Sequence, residues 1–149
     1  ASDVYKRQVS TITGLYVQIW DGPPNAGGTV VWGDLTTNRL LTTGWANIYR
    51  AADGTLTATN RPVMENVATI GTTLAQGTYW VQWSADGSLA SGPWAPPITI
   101  LGQTSTGDAL QYTTAWAAIA DVGAGTPQGL PFIINGAVVP VELQSFSVE

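Results

Sequence analysis

Apolar and polar residues alternate along this chain in short runs that stop at glycine, proline or aspartate. Leu15, Val17 and Ile19 fall on one side of an extended segment and Tyr16, Gln18 and Trp20 on the other, which predicts a strand over 15–20. Residues 21–28, DGPPNAGG, form a loop on dihedral grounds alone. Extended structure resumes at Thr29–Trp32 and stops at Gly33-Asp34, and a short strand is expected at Ala46–Arg50 before a turn at Asp53-Gly54. Val63–Ile70 alternates again. Thr78–Ser84 carries the strongest strand pattern, with Tyr79, Val81 and Trp83 on one face and Trp80 and Gln82 on the other, bounded by Gly77 and by Asp86-Gly87. Pro97–Leu101, Ala109–Thr113 and Leu130–Asn135 are three further strands. The helix-like window Thr114–Ala120 is too short and isolated to change the class. Strands spaced by about ten residues, with no helix between them, predict an all-β chain folded as an antiparallel β-sandwich or jelly roll.

One local motif has a mechanism. Leu74-Ala75-Gln76-Gly77-Thr78-Tyr79 has the Leu-x-x-Gly-x-Tyr form of a tyrosine corner, in which the phenol bonds back to the backbone of the crossing loop and pins it. Leu74, Gly77 and Tyr79 are therefore read as structural residues.

Composition agrees with this reading. Only 10% of the 149 residues are charged, and Thr, Gly, Asn, Ser and Pro take their place, a mixture suited to pleated strands and tight turns rather than helices. The net charge of −5 leaves no electrostatic footprint for nucleic acid or an anionic membrane. No apolar run approaches the roughly 18–20 residues of a membrane-spanning helix. Absence of Cys removes disulfides, thiol catalysis and thiolate metal sites. Absence of His removes the commonest general base and the Ser/His/Asp and Cys/His systems.

Two carboxylates about 5–10 Å apart would suffice for glycosidase chemistry, but nothing in the sequence pairs Asp21, Asp34, Glu65, Asp86 or Asp108 in that way. Most adjoin glycine in turns, where Asp caps its own backbone. Glu65 lies mid-strand, either facing solvent or partnering Arg61. The chain is thus expected not to be an enzyme. A calcium site built from Asp21, Asp34, Asn38 and backbone carbonyls is an alternative use of those oxygens, with turn chemistry the competing explanation.

The seven tryptophans pose the main functional question. Buried, each removes on the order of 200 Å² from water and anchors a core. Exposed and coplanar, two or three make a platform for sugar rings. Trp20 and Trp80 fall opposite the aliphatic faces of their strands, and Trp94, in the loop Gly92-Pro93-Trp94-Ala95-Pro96-Pro97, is the best single candidate for an exposed ring.

The succession YVQIWDGPPNAGGTVVWGD, NRL, IYR, RPVMENV, LAQGTYWVQW, LASGPWAPPITI and GTPQGLPFIING, from Leu15 to Gly136, resembles an uncharacterised β-sandwich module of large secreted and surface proteins of environmental bacteria. The resemblance covers roughly four-fifths of the chain and implies a fold and a location, with further strands upstream of Ile12, but no activity. The tail PVELQSF, from Pro140, resembles the segment that leads into the C-terminal sorting region of type IX secretion cargo in Bacteroidetes. Asp3-Val4-Tyr5-Lys6-Arg7-Gln8 resembles a peptide produced when sequencing-adapter DNA is translated at the ends of metagenomic assemblies. These resemblances imply a non-native segment at 1–8, a β-sandwich module at 9–137, and a linker at 138–149 toward a sorting domain.

Three functions follow as expectations. The first is a structural or adhesive module outside the cell or on its outer surface, contacting other surface proteins. The second is a carbohydrate-binding module for an extracellular polysaccharide, using Trp94, Trp20 and Trp80. The third is a fibre subunit that self-associates by strand addition.

Overall fold

A computed structural model describes residues 9–50, 57–98, 100–121 and 124–139. The segment 1–8, the turn at Asp53-Gly54 and the tail from Pro140 onward lie outside the described residues.

The chain is all-β, with seven strands and no helix among the described residues. They are β1 (Ile12–Trp20), β2 (Val30–Asp34), β3 (Leu40–Tyr49), β4 (Pro62–Ala68), β5 (Trp80–Gly87), β6 (Leu110–Tyr112) and β7 (Trp116–Ala118). All pairing is antiparallel, in three sheets: β2-β1-β5, β3-β4 and β6-β7. The antiparallel all-β class follows the periodicity. The two facing layers of a sandwich or jelly roll are not established by this arrangement.

β1 is the centre of the molecule. Its odd-numbered side chains Leu15, Val17 and Ile19 are the buried hydrophobic residues among those described. β1 is flanked on both edges, by β2 and β5, and also neighbours β3 and β4 of the second sheet. Across the β5 ladder, Leu15 pairs with Ala85, Val17 with Trp83 and Ile19 with Val81, so aliphatic and aromatic groups share that face. Where β2 ends, Asn38 continues the ladder. Its Oδ1 accepts from the Leu15 N–H at 3.0 Å and its Nδ2 donates to the Thr13 carbonyl at 3.1 Å, as a peptide group would. The Arg39 N–H then donates to the Leu15 carbonyl at 2.7 Å.

Several elements depart from the local pattern. β5 runs through Asp86-Gly87 instead of turning there, because Ala85–Gly87 have partners in Ile12–Leu15. β3 begins at Leu40 rather than Ala46, since β4 offers partners from Leu40 onward. The register slips between Trp45 and Tyr49, where Asn47 takes φ 60°, a left-handed conformation that Asn tolerates. The window Thr114–Ala120 contains strand β7, because pairing with β6 outweighs the helical preference of its alanines. The described residues of Pro97–Leu101 and Leu130–Asn135 form no strand. Ile98 makes a backbone bond to the Gly129 carbonyl at 2.8 Å, and residues 130–139 have no ladder partner among the described residues. No helix among the described residues is long and apolar enough to cross a membrane.

Candidate functional site

The turn between β2 and β3 builds the most organised polar cluster. Asp34 ends β2, and its Oδ1 accepts from the Thr36 and Thr37 N–H groups at 2.9 and 2.5 Å. The Thr36 hydroxyl also donates to Oδ1, at 2.9 Å, and the Thr37 hydroxyl to Oδ2, at 3.0 Å. Residues 34–37 therefore fold back, and five positions on Arg39 reaches the same carboxylate, its Nη2 2.7 Å from Asp34 Oδ2. The guanidinium lies 4.5 Å from the centre of the Trp32 ring, a cation–π stack. Arg39 Nε is buried with no hydrogen-bond partner. Its main chain joins two sheets, because its carbonyl accepts from the Thr69 N–H at 3.3 Å while its N–H bonds β1. Beside this cluster opens a cleft of about 520 Å³, lined by Trp32, Thr37, Asn38, Arg39, Leu40, Leu41, Thr69 and Gly71.

Hydrogen bonds, chiefly from the Thr37 and Thr36 amides, hold the Asp34 carboxyl well below the usual carboxylate range. The Thr29 amide and hydroxyl lower Asp21 in the same way, at 2.6 and 2.8 Å. A carboxylate whose folded value is depressed contributes stability above its unfolded value, about 3.9, and loses it as pH falls through the folded value. Thermal stability is therefore expected to fall as pH drops below about 4. An Asp34→Asn variant should show a shallower fall in melting temperature over that range; an unchanged slope would remove Asp34 from the acid transition.

The oxygens weighed for calcium are thus committed within the chain. Asp21 holds Thr29, Asp34 holds its own turn and Arg39, and both amide atoms of Asn38 serve β1. No group of three or more His, Cys, Asp or Glu side chains that could hold a metal occurs among the described residues. Glu65 is exposed, opposite Gly44 on β3. Asp86 accepts from the Tyr16 phenol at 2.7 Å, a bond that raises the Tyr16 pKa above its ordinary value.

The tryptophans divide by environment. On the second face of the central sheet Trp20 stands opposite Trp80, both half-buried. Trp20 donates from Nε1 to Gln82 Oε1 at 2.9 Å and meets Trp116 edge-on at 6.0 Å, with Tyr112 a further 5.3 Å from Trp116. This edge-to-face stack sets the β6-β7 hairpin against Trp20. Trp83, on the first face, packs against Phe132 at 5.9 Å. Trp94 stands apart, 81% exposed. Of the three rings expected to bind sugar, Trp94 is exposed and Trp20 and Trp80 are half-buried.

Tyr79 precedes β5 and donates from its hydroxyl to the Ala75 carbonyl at 3.0 Å, with its ring against Gly77. Leu74 is partly exposed at the start of this turn. Tyr79→Phe removes one hydrogen bond and is expected to cost about 0.5–1.5 kcal/mol, read as a melting temperature a few degrees lower with ligand binding untouched. Lost affinity at unchanged stability would give Tyr79 a binding role instead.

The Trp32–Arg39 cleft was not legible as a site in the sequence. Its one local signal is the spacing Asp34-x-Thr36-Thr37, which marks a side-chain-capped turn. The stack on Trp32 depends on how the chain returns. No family model, curated protein or solved structure matches the chain.

Proposed function

We propose that this chain is a non-catalytic structural or adhesive module of a secreted or cell-surface bacterial protein, acting through surfaces that neighbouring domains or chains cover. The observation that carries this reading is the imbalance of burial. Leu41 and Ile48 on β3 are 66% and 57% exposed, and Ile133 is 87% exposed, while among the described residues the buried apolar set is confined to β1. Exposed apolar surface that is contiguous marks an interaction site, and we infer that neighbouring domains or chains cover these side chains. The scarcity of charge, the absence of His and Cys and the resemblance to secreted modules support the same reading. An apolar fluorescent dye is expected to bind the isolated chain, and a Leu41→Ser, Ile48→Ser double variant to bind less of it. Turnover of any substrate in a panel of polysaccharides, esters and peptides would overturn the non-catalytic half.

A second reading, a carbohydrate-binding module, is favoured by Trp94 alone, a large aromatic ring standing in solvent. A glycan array with Trp94→Ala as control tests it. Binding that disappears in the variant supports this reading, and no binding to any glycan removes it.

A further inference from the structure

We infer that the free edge of β5 accepts residues 130–139 of a second copy of this chain as an added strand. The inference rests on the module reading above and names one of its partners.

The acceptor is defined by the ladder. Leu15 turns its N–H and carbonyl toward Asn38 and Arg39, on the β2 side of β1. By alternation Tyr16, Gln18 and Trp20 turn theirs toward β5, where they pair with Ser84, Gln82 and Trp80. The main-chain groups of Val81, Trp83 and Ala85 therefore point to the opposite, outer edge. Among the described residues none pairs with that edge, which ends the sheet. Edge strands are usually blunted by lysine, proline or a bulge. β5 contains no lysine or proline, and its ladder with β1 shifts only opposite Ile12–Gly14.

The donor lies in the same chain. Residues 130–139, LPFIINGAVV, carry the strand-forming Phe132, Ile133, Ile134, Val138 and Val139 around Pro131 and Asn135-Gly136, and have no strand partner among the described residues. Ile133, Ile134, Val138 and Val139 are exposed. Ten residues at about 3.3 Å each span about 33 Å, enough to cover the eight of β5. Alternation would set Leu130, Phe132 and Ile134 on the face of Val81, Trp83 and Ala85, and Phe132 already meets Trp83 within one chain at 5.9 Å. Exchange between two copies replaces that contact with its equivalent and adds the missing ladder bonds, the low-cost route of segment swapping.

Charge selects the same surfaces. Copies of a chain with net charge −5 repel. Residues 130–139 carry no ionisable side chain, and β5 carries only Asp86, whose carboxylate already accepts from Tyr16.

The test is the molar mass of the full chain by light scattering over rising concentration, beside two variants. Ala85→Pro removes an outward N–H without touching the β1 ladder, and Ile133→Pro alters a residue 87% exposed in the single chain. The wild type is expected to associate and each variant alone to stay monomeric. An equimolar mixture should form a heterodimer, since one variant keeps its donor and the other its acceptor. Exchange protection of the Val81, Trp83 and Ala85 amides should rise with association. A wild type monomeric at high concentration, or association that survives both variants, overturns the inference. If Ala85→Pro fails to fold, the Ile133→Pro result decides. A monomer that still binds the apolar dye through Leu41 and Ile48 leaves the module reading standing.

Discussion

Gly33→Ala is expected to detach β2 from β1. Gly33 pairs with Gln18 at φ 82°, just past the irregularity where Ile19 faces Trp32 and Trp20 faces Val30. An alanine in the left-handed region costs roughly 1–2 kcal/mol on its own. A Cβ there would also overlap the carbonyl oxygen of Val17, a main-chain atom that cannot swing aside. The melting temperature should fall by at least about 4 °C. Hydrogen exchange gives the sharper readout. Amides of Val17 and Ile19, which face β2, should exchange faster, while those of Tyr16 and Gln18, which face β5, keep their protection. Uniform loss along β1 would mean that the whole sheet had opened, and an unchanged profile that β2 tolerates the methyl group.

The second large effect is expected at Ile19. Leu15, Val17 and Ile19 are the buried hydrophobic residues described, so there is little else to absorb a gap. Ile19→Ala removes three methyl or methylene carbons between Val81 and Trp32. Substitutions of this type cost about 2–5 kcal/mol, a large share of the roughly 5–15 kcal/mol that holds a domain folded. Chemical denaturation should show a midpoint shifted by that amount at unchanged slope. The exposed control Ile48→Ala should shift it little, and equal shifts would mean that β3 is covered in solution.

What was legible in the sequence was what is local. The faces of β1 and β5 follow from alternation, because a two-residue repeat needs no knowledge of the partner. The loop after Trp20 and the turn at Asp34 follow from residues that fix or cap their own backbone. Partnership is not local. Leu130–Asn135 has the composition of a strand but pairs with no strand among the described residues, whereas Trp116–Ala118 has a helix-leaning composition and a hairpin partner in β6. Ala85–Gly87 carries a turn signature and extends because Ile12–Leu15 lies alongside. The Trp32–Arg39 stack joins residues from either side of a turn, and only the turn was written locally. Trp94 needed no partner, and its exposure follows from a loop of proline and glycine.

The main chain of Arg39 has a mechanical consequence. Its N–H holds the Leu15 carbonyl of the central sheet and its carbonyl holds the Thr69 N–H at the end of β4. These two bonds stand in series through one residue. A tension drawing the two sheets apart would pass through both of these bonds at once, shared with few others such as the Ser10–Thr43 hydroxyl bond at 2.6 Å rather than across a row. The β1-β5 ladder, pulled along its strands, bears shear on many bonds together. Under stretching, the molecule should therefore yield first at Arg39, lengthening there while β1 and β5 stay zipped, as a soft link in front of a stiff one.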